Sequence, residues 1–136
     1  MNSKKLLIAA TVLAQTSFAN ADWRTADRSS TNLAPLPKEE SRAVVQVYAA
    51  RVIRWRKYFA VHSWIATKEK GADHYRTYHV IGWRQRYGRD IVVVEKTDTP
   101  DAKWFGNTPE LLYDLRGPAA ERAIPTIVAA SGTYPY

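Results

Sequence analysis

The sequence contains no cysteine. Disulfides, cysteine-ligated zinc and a cysteine nucleophile are therefore excluded from this chain. It also lacks the local patterns that announce chemistry. There is no G-x-S-x-G turn for a serine nucleophile and no glycine-rich phosphate loop. Its three histidines include no H-x-H or H-E-x-x-H pair, so neither a metal site nor a cofactor is expected. Internal repeats and low-complexity tracts are missing. So are an RNP-type aromatic motif, a Cys/His finger and helix-turn-helix spacing, which argues against nucleic acid as a partner.

What is present suits one globular domain. The chain has 136 residues, 46% of them hydrophobic, with five Trp and eight Tyr to supply large core and interface side chains. Lys and Arg number 20 against 13 Asp and Glu, a formal charge of +7. A basic balance favours an anionic partner and says nothing about fold.

Residues 1–21 have the order of a secretory signal peptide: Lys4 and Lys5, then the apolar run Leu6–Ala14, then Ala19-Asn20-Ala21 as a small-residue cleavage site. The apolar run falls short of the ~20 residues that span a bilayer. The competing reading is a buried N-terminal helix. Cleavage after Ala21 would leave no transmembrane span and would lower the formal charge from +7 to +5. Export to the periplasm or envelope shifts the expected partner to an anionic lipid or a cell-wall polymer.

Asp22–Arg42 is polar with two prolines and no sustained apolar period, the pattern of an extended arm. A lone Trp23 within it is expected to dock on the body. Residues 43–136 form the domain. Ala43–Arg51 reads as a buried strand. Tyr58–Thr67 and Tyr75–Trp83 read as two strands joined by the turn Lys68–His74, and Ile91–Glu95 as a fourth. Thr108-Pro109-Glu110 has the makings of a helix start, with Leu111, Leu112 and Leu115 as the buried stripe. Pro118–Ala130 reads as a further helix with Ala120, Ile124, Ile127 and Val128 inward and Pro125 as a kink or break. The class is α+β: an antiparallel sheet of about four strands followed by two or three helices.

His62 is the candidate catalytic residue. Strand alternation places it on a face with Tyr58 and Trp64, where partial burial could set its pKa for general-base work. The plainer reading is a core histidine with a satisfied hydrogen bond. Ser63 points to the opposite face and cannot partner it. His79 lies in the next strand. If it opposes His62 the imidazoles lie side by side, and a one-residue slip puts them on opposite sides of the sheet. Arg54, Trp55 and Arg56 form a basic aromatic connector, either an anion-contacting lip or a solvated edge with Trp55 packed inward. Together with Trp64 and His79 they are the candidate binding residues. Asp98 and Asp101 read as a solvated turn rather than a cation site.

The stretches WRTADRSSTNLAPLP, VVQVYAAR, YFAVHSWIA, YHVIGWR, WFGNTPELLYDLRG and TYPY, in this order, resemble the bacterial family catalogued as domain of unknown function 3750. The resemblance covers Trp23 to Tyr136. It implies an exported or envelope-associated protein without an established activity. An early strand histidine, here His62, is similar to circularly permuted papain-like folds of the NlpC/P60 type, in which the histidine strand precedes the nucleophile. Family members continue past TYPY into a segment at the nucleophile position, and this chain ends at Tyr136. The resemblance thus implies an incompletely covered apolar face. Three readings follow: a non-catalytic or degenerate module binding an anionic envelope component; a papain-like-fold hydrolase of amide or ester bonds with His62 as base and a nucleophile from beyond Tyr136, missing from this chain; or an incomplete remnant. Comparing His62→Ala with Arg54→Ala/Arg56→Ala separates the first two.

Overall fold

The structure, a computed structural model, describes residues 24–53, 56 and 58–135. The signal-peptide segment, Trp23, Arg54 and Trp55 lie outside the described residues. Five strands form one antiparallel sheet: β1 Val44–Arg51, β2 Val61–Lys68, β3 Tyr75–Val80, β4 Val92–Thr97 and β5 Glu110–Arg116, in the spatial order β4-β3-β2-β1-β5. One helix follows, α1 Pro118–Gly132. The α+β class is as expected, with a strand where the first helix was expected.

That strand is β5. Thr108-Pro109 does not start a helix, because Glu110–Arg116 pairs along the open edge of β1. The pairing carries a bulge: Tyr48 opposes Leu111 and Val47 opposes Tyr113, leaving Leu112 extra and exposed. In an unbroken strand Leu111 and Leu115 would share a face. The bulge sends Leu111 to one core and Leu115 to the other. The remaining strand boundaries shift by a few residues. The expected third strand is cut short at Val80, and Gly82–Tyr87 winds into a 3-10 turn closed by Gly88.

Both faces of the sheet are packed. On one, Val45 and Ala43 meet Ala120 and Ile124 of α1, with Ile65, Leu115 and Ile127 around them. Val128, expected inward, is 44% exposed. The helix begins at Gly117, whose φ of 76° and ψ of −146° suit only glycine, and whose N–H bonds the Ala43 carbonyl at 2.8 Å. Pro125 neither kinks it into two elements nor ends it. Pro125 and Glu121 are both exposed, so water can take the Glu121 carbonyl that proline leaves without a helical partner.

On the other face Tyr48, Trp64, Ala66 and Tyr75 form the core with Val44 and Ala50. Among the described residues no helix covers this face. It is closed by the arm and by the loop following β4, which are laced together. Ser30 bridges Ala102, the Lys103 N–H bonds the Ser29 carbonyl and the Gly106 N–H bonds the Asp27 carbonyl, both at 2.9 Å. Asp101 is the clasp. Its carboxyl oxygens accept from the Ser30 hydroxyl at 2.9 Å and from the backbone N–H groups of Leu33 at 2.7 Å and Ala34 at 3.2 Å. Only 1% of Asp101 is exposed. The solvated turn expected here is corrected: Asp101 is buried, because the arm folds over it and supplies the donors that water would otherwise provide.

Candidate functional site

The site lies on the face covered by the arm and loop. Pairing of β2 with β3 sets Trp64 opposite His79. His62 precedes Trp64 by two residues and shares its face, so His62 and His79 are diagonal neighbours, neither directly opposed nor on opposite sides. Their rings lie almost parallel, 5.2 Å apart at 4°, with His62 Nε2 and His79 Nδ1 at 2.9 Å. One imidazole donates and the other accepts, which holds the two tautomers in step. Ser63 opposes Ala49 on the other face, where it cannot reach His62.

Trp104, from the loop after β4, lies over the pair. Its ring stacks on His62 with centroids 3.8 Å apart at 17°. Trp64 flanks the pair, 5.8 Å from His62 and 5.7 Å from His79, and is itself fixed by its indole N–H on the Pro100 carbonyl at 2.8 Å. Burial pushes both imidazoles down to about 4, with the neighbouring His79 adding to the effect on His62. At neutral pH the pair is uncharged. A base tuned so far below neutrality has little driving force to take a proton from a hydroxyl or a water.

Beside His79 a cavity of about 240 Å³ opens, lined by Thr77, Glu95, Trp104, Arg28 and Lys103 among others. Its cations have partners at hand: Lys103 bonds Asp27 at 2.6 Å, and the Arg28 guanidinium lies 4.5 Å from the Phe105 ring centroid. His79 Nδ1 is taken by His62, so Nε2 is the nitrogen left to serve this cavity. Among the described residues no three His, Asp or Glu side chains converge as a metal site would require. On the helix side, an apolar groove of about 680 Å³ runs between α1 and β2–β4, lined by Val61, Ile65, Val80, Val92, Ile127 and Tyr134 among others.

The structure thus brings together His62, Trp64 and His79. Arg56 lies in the connector between β1 and β2 and is exposed. Trp64 is a core residue, 4% exposed, that also lines the cavity beside His79. Sequence reasoning missed Trp104, Thr77 and Glu95. Thr77 and Glu95 were readable in principle, since alternation from His79 reaches Thr77 and the β3–β4 register then reaches Glu95. For Trp104 the only signal was a bulky aromatic pair in a loop rich in turn residues. There Phe105 at φ 49° and Gly106 at φ 85° turn the chain back on itself, closing Trp104 onto Asn107.

Comparison with known proteins adds one finding. A family model described as "Protein of unknown function (DUF3750)" matches residues 42–136. No curated protein and no solved structure matches the chain.

Proposed function

The chain belongs to the DUF3750 family of proteins of unknown function, and from that premise we propose that it is an exported envelope module that binds an anionic component without transforming it. The observation that carries this reading is that the best catalytic candidate, a half-buried imidazole, is already engaged by its neighbours. His62 Nε2 is bonded to His79, Trp104 covers the ring, and the adjacent hydroxyl of Ser63 is on the far face. The net positive charge, +7 for the whole chain and +5 after cleavage at Ala21, gives the sign of the ligand. The ligand class is an anionic lipid or a cell-wall polymer, reached after cleavage of residues 1–21.

Binding to peptidoglycan sacculi and to phosphatidylglycerol vesicles tests this, with turnover of amide and ester substrates measured on the same samples. Retention on at least one, weakened by about 0.5 M salt as a screened interaction must be, and unaffected by His62→Gln, is the expected result. Hydrolysis that disappears in His62→Gln would overturn it. It would favour a second reading, a hydrolase of papain-like ancestry with His62 as base. The observation favouring that reading is the cavity against His79.

A further inference from the structure

The β1–β2 and β3–β4 connectors leave the sheet at the same end, because β2 begins where β3 finishes. Each is rich in exposed aromatic and aliphatic side chains. Phe59 is 84% exposed, Tyr87 71%, Tyr58 69%, Val61 63% and Trp83 59%. Singly such residues are ordinary on a surface; gathered in two adjacent connectors they are not. Trp83 and Tyr87 meet edge to face at 6.0 Å, and Tyr58 and Phe59 at 6.5 Å. Val61, Val80 and Val92 continue the apolar surface into the helix-side groove.

The same end is strongly basic. The described residues of the segments 51–61 and 80–92 include Arg51, Arg56, Arg84, Arg86 and Arg89 against a single acid, Asp90. Arg51, Arg56, Arg86 and Arg89 are exposed, and Arg84, half-buried, bonds the Asp90 carbonyl at 2.7 Å. The opposite end is built differently: there the β2–β3 turn is tied to the arm by the Gly71 N–H on the Ser41 carbonyl at 2.9 Å.

The geometry points to this aromatic and arginine-rich end as the surface by which the protein docks on an anionic lipid bilayer. This deepens the anionic-ligand reading above and rests on it. A charged polymer would satisfy the arginines and leave Phe59, Trp83 and the valines in water. A bilayer interface takes both, with aromatic rings at the headgroup level and long basic side chains reaching the phosphates. The partner is therefore a membrane surface bearing anionic headgroups, contacted by two loops rather than crossed.

The test uses the absence of native cysteine. In the full chain, Tyr87→Cys is labelled with an environment-sensitive dye, and Lys38→Cys at the opposite end serves as control. Vesicles of phosphatidylcholine are compared with vesicles also containing phosphatidylglycerol. The expected result is a blue shift at position 87 alone, only with the anionic vesicles, reversed by salt. Arg86→Glu/Arg89→Glu should lower vesicle affinity at least about tenfold, each cation near an anionic leaflet being worth about fivefold. Trp83→Ala should lower it about threefold or more, with an unchanged urea midpoint in both variants. Vesicle binding without a shift at position 87 overturns the assignment, since another surface, including residues 1–21, then makes the contact. No vesicle binding with retention on sacculi overturns the bilayer and leaves the anionic-ligand reading standing. Retention on neither overturns both.

Discussion

Protonating either imidazole of the His62–His79 pair places charge beneath Trp104, where burial has already driven both groups from 6.5 down to about 4. The unfolded chain protonates first as pH falls, so it binds more protons than the folded state between about 6.5 and 4 and stability declines across that window. Below it the slope from these groups vanishes. Each is worth up to ~3 kcal/mol, at about 1.4 kcal/mol per unit, and less for His62, which retains some water contact. Urea midpoints should therefore drop from pH 7 to pH 4.5. His79→Gln should flatten that drop, and an unchanged slope would mean the pair is not buried as described. Asp101 makes the second prediction at this scale. Asp101→Ala strips the acceptor from Ser30, Leu33 and Ala34, at a cost of about 2 kcal/mol or more for buried donors left bare. Hydrogen exchange at the Leu33 and Ala34 amides should accelerate more than at Val45 or Ala66. Strand alternation read from the sequence already placed His62 beside Trp64. The value of Asp101 was not legible, because it depends on donors some seventy positions away in an arm with no periodicity of its own.

At the scale of elements, four strands were readable because each is a run of alternating or β-branched residues between turn signals. β5 was not. Its Thr-Pro-Glu opening and its leucines at positions 111, 112 and 115 match a helix start as well as anything local can. What decides the matter is the unpaired edge of β1, a tertiary fact, together with a bulge that no pattern in one strand reveals. The helix shows the converse. Pro125 argued for a break, yet α1 continues, since Ile124 and Ala120 are held against the sheet and the broken hydrogen bond faces solvent. Pro125→Ala restores that bond. It should stabilise the protein by about 1–3 kcal/mol, the range set by the interior proline penalty and the lost constraint on the unfolded chain. A thermal midpoint raised by several degrees is the reading expected, and no rise would mean the helix is already relaxed around the proline.

The whole molecule hangs on β1, which alone pairs with both the early hairpin through β2 and the late strand β5. A chain stopped after Thr108 would retain β1–β4 yet lose β5 and α1, leaving Ala43 and Val45 uncovered. It should lose cooperative urea unfolding by near-ultraviolet circular dichroism, and a retained sharp transition would show that the four-stranded part suffices. The basic, aromatic end belongs to this scale as well, since neither connector alone assembles it. The strand order also has a consequence in time. β1 is finished early in synthesis, but its second partner is not complete until residue 116. At ribosomal rates of about 5–20 residues per second, its edge stays open for roughly 3–13 s while the sequence between is made. During that interval the nascent chain has no closed sheet. It is vulnerable to association through the bare strand, and for the same reason it remains threadable, a state that the proposed export would require.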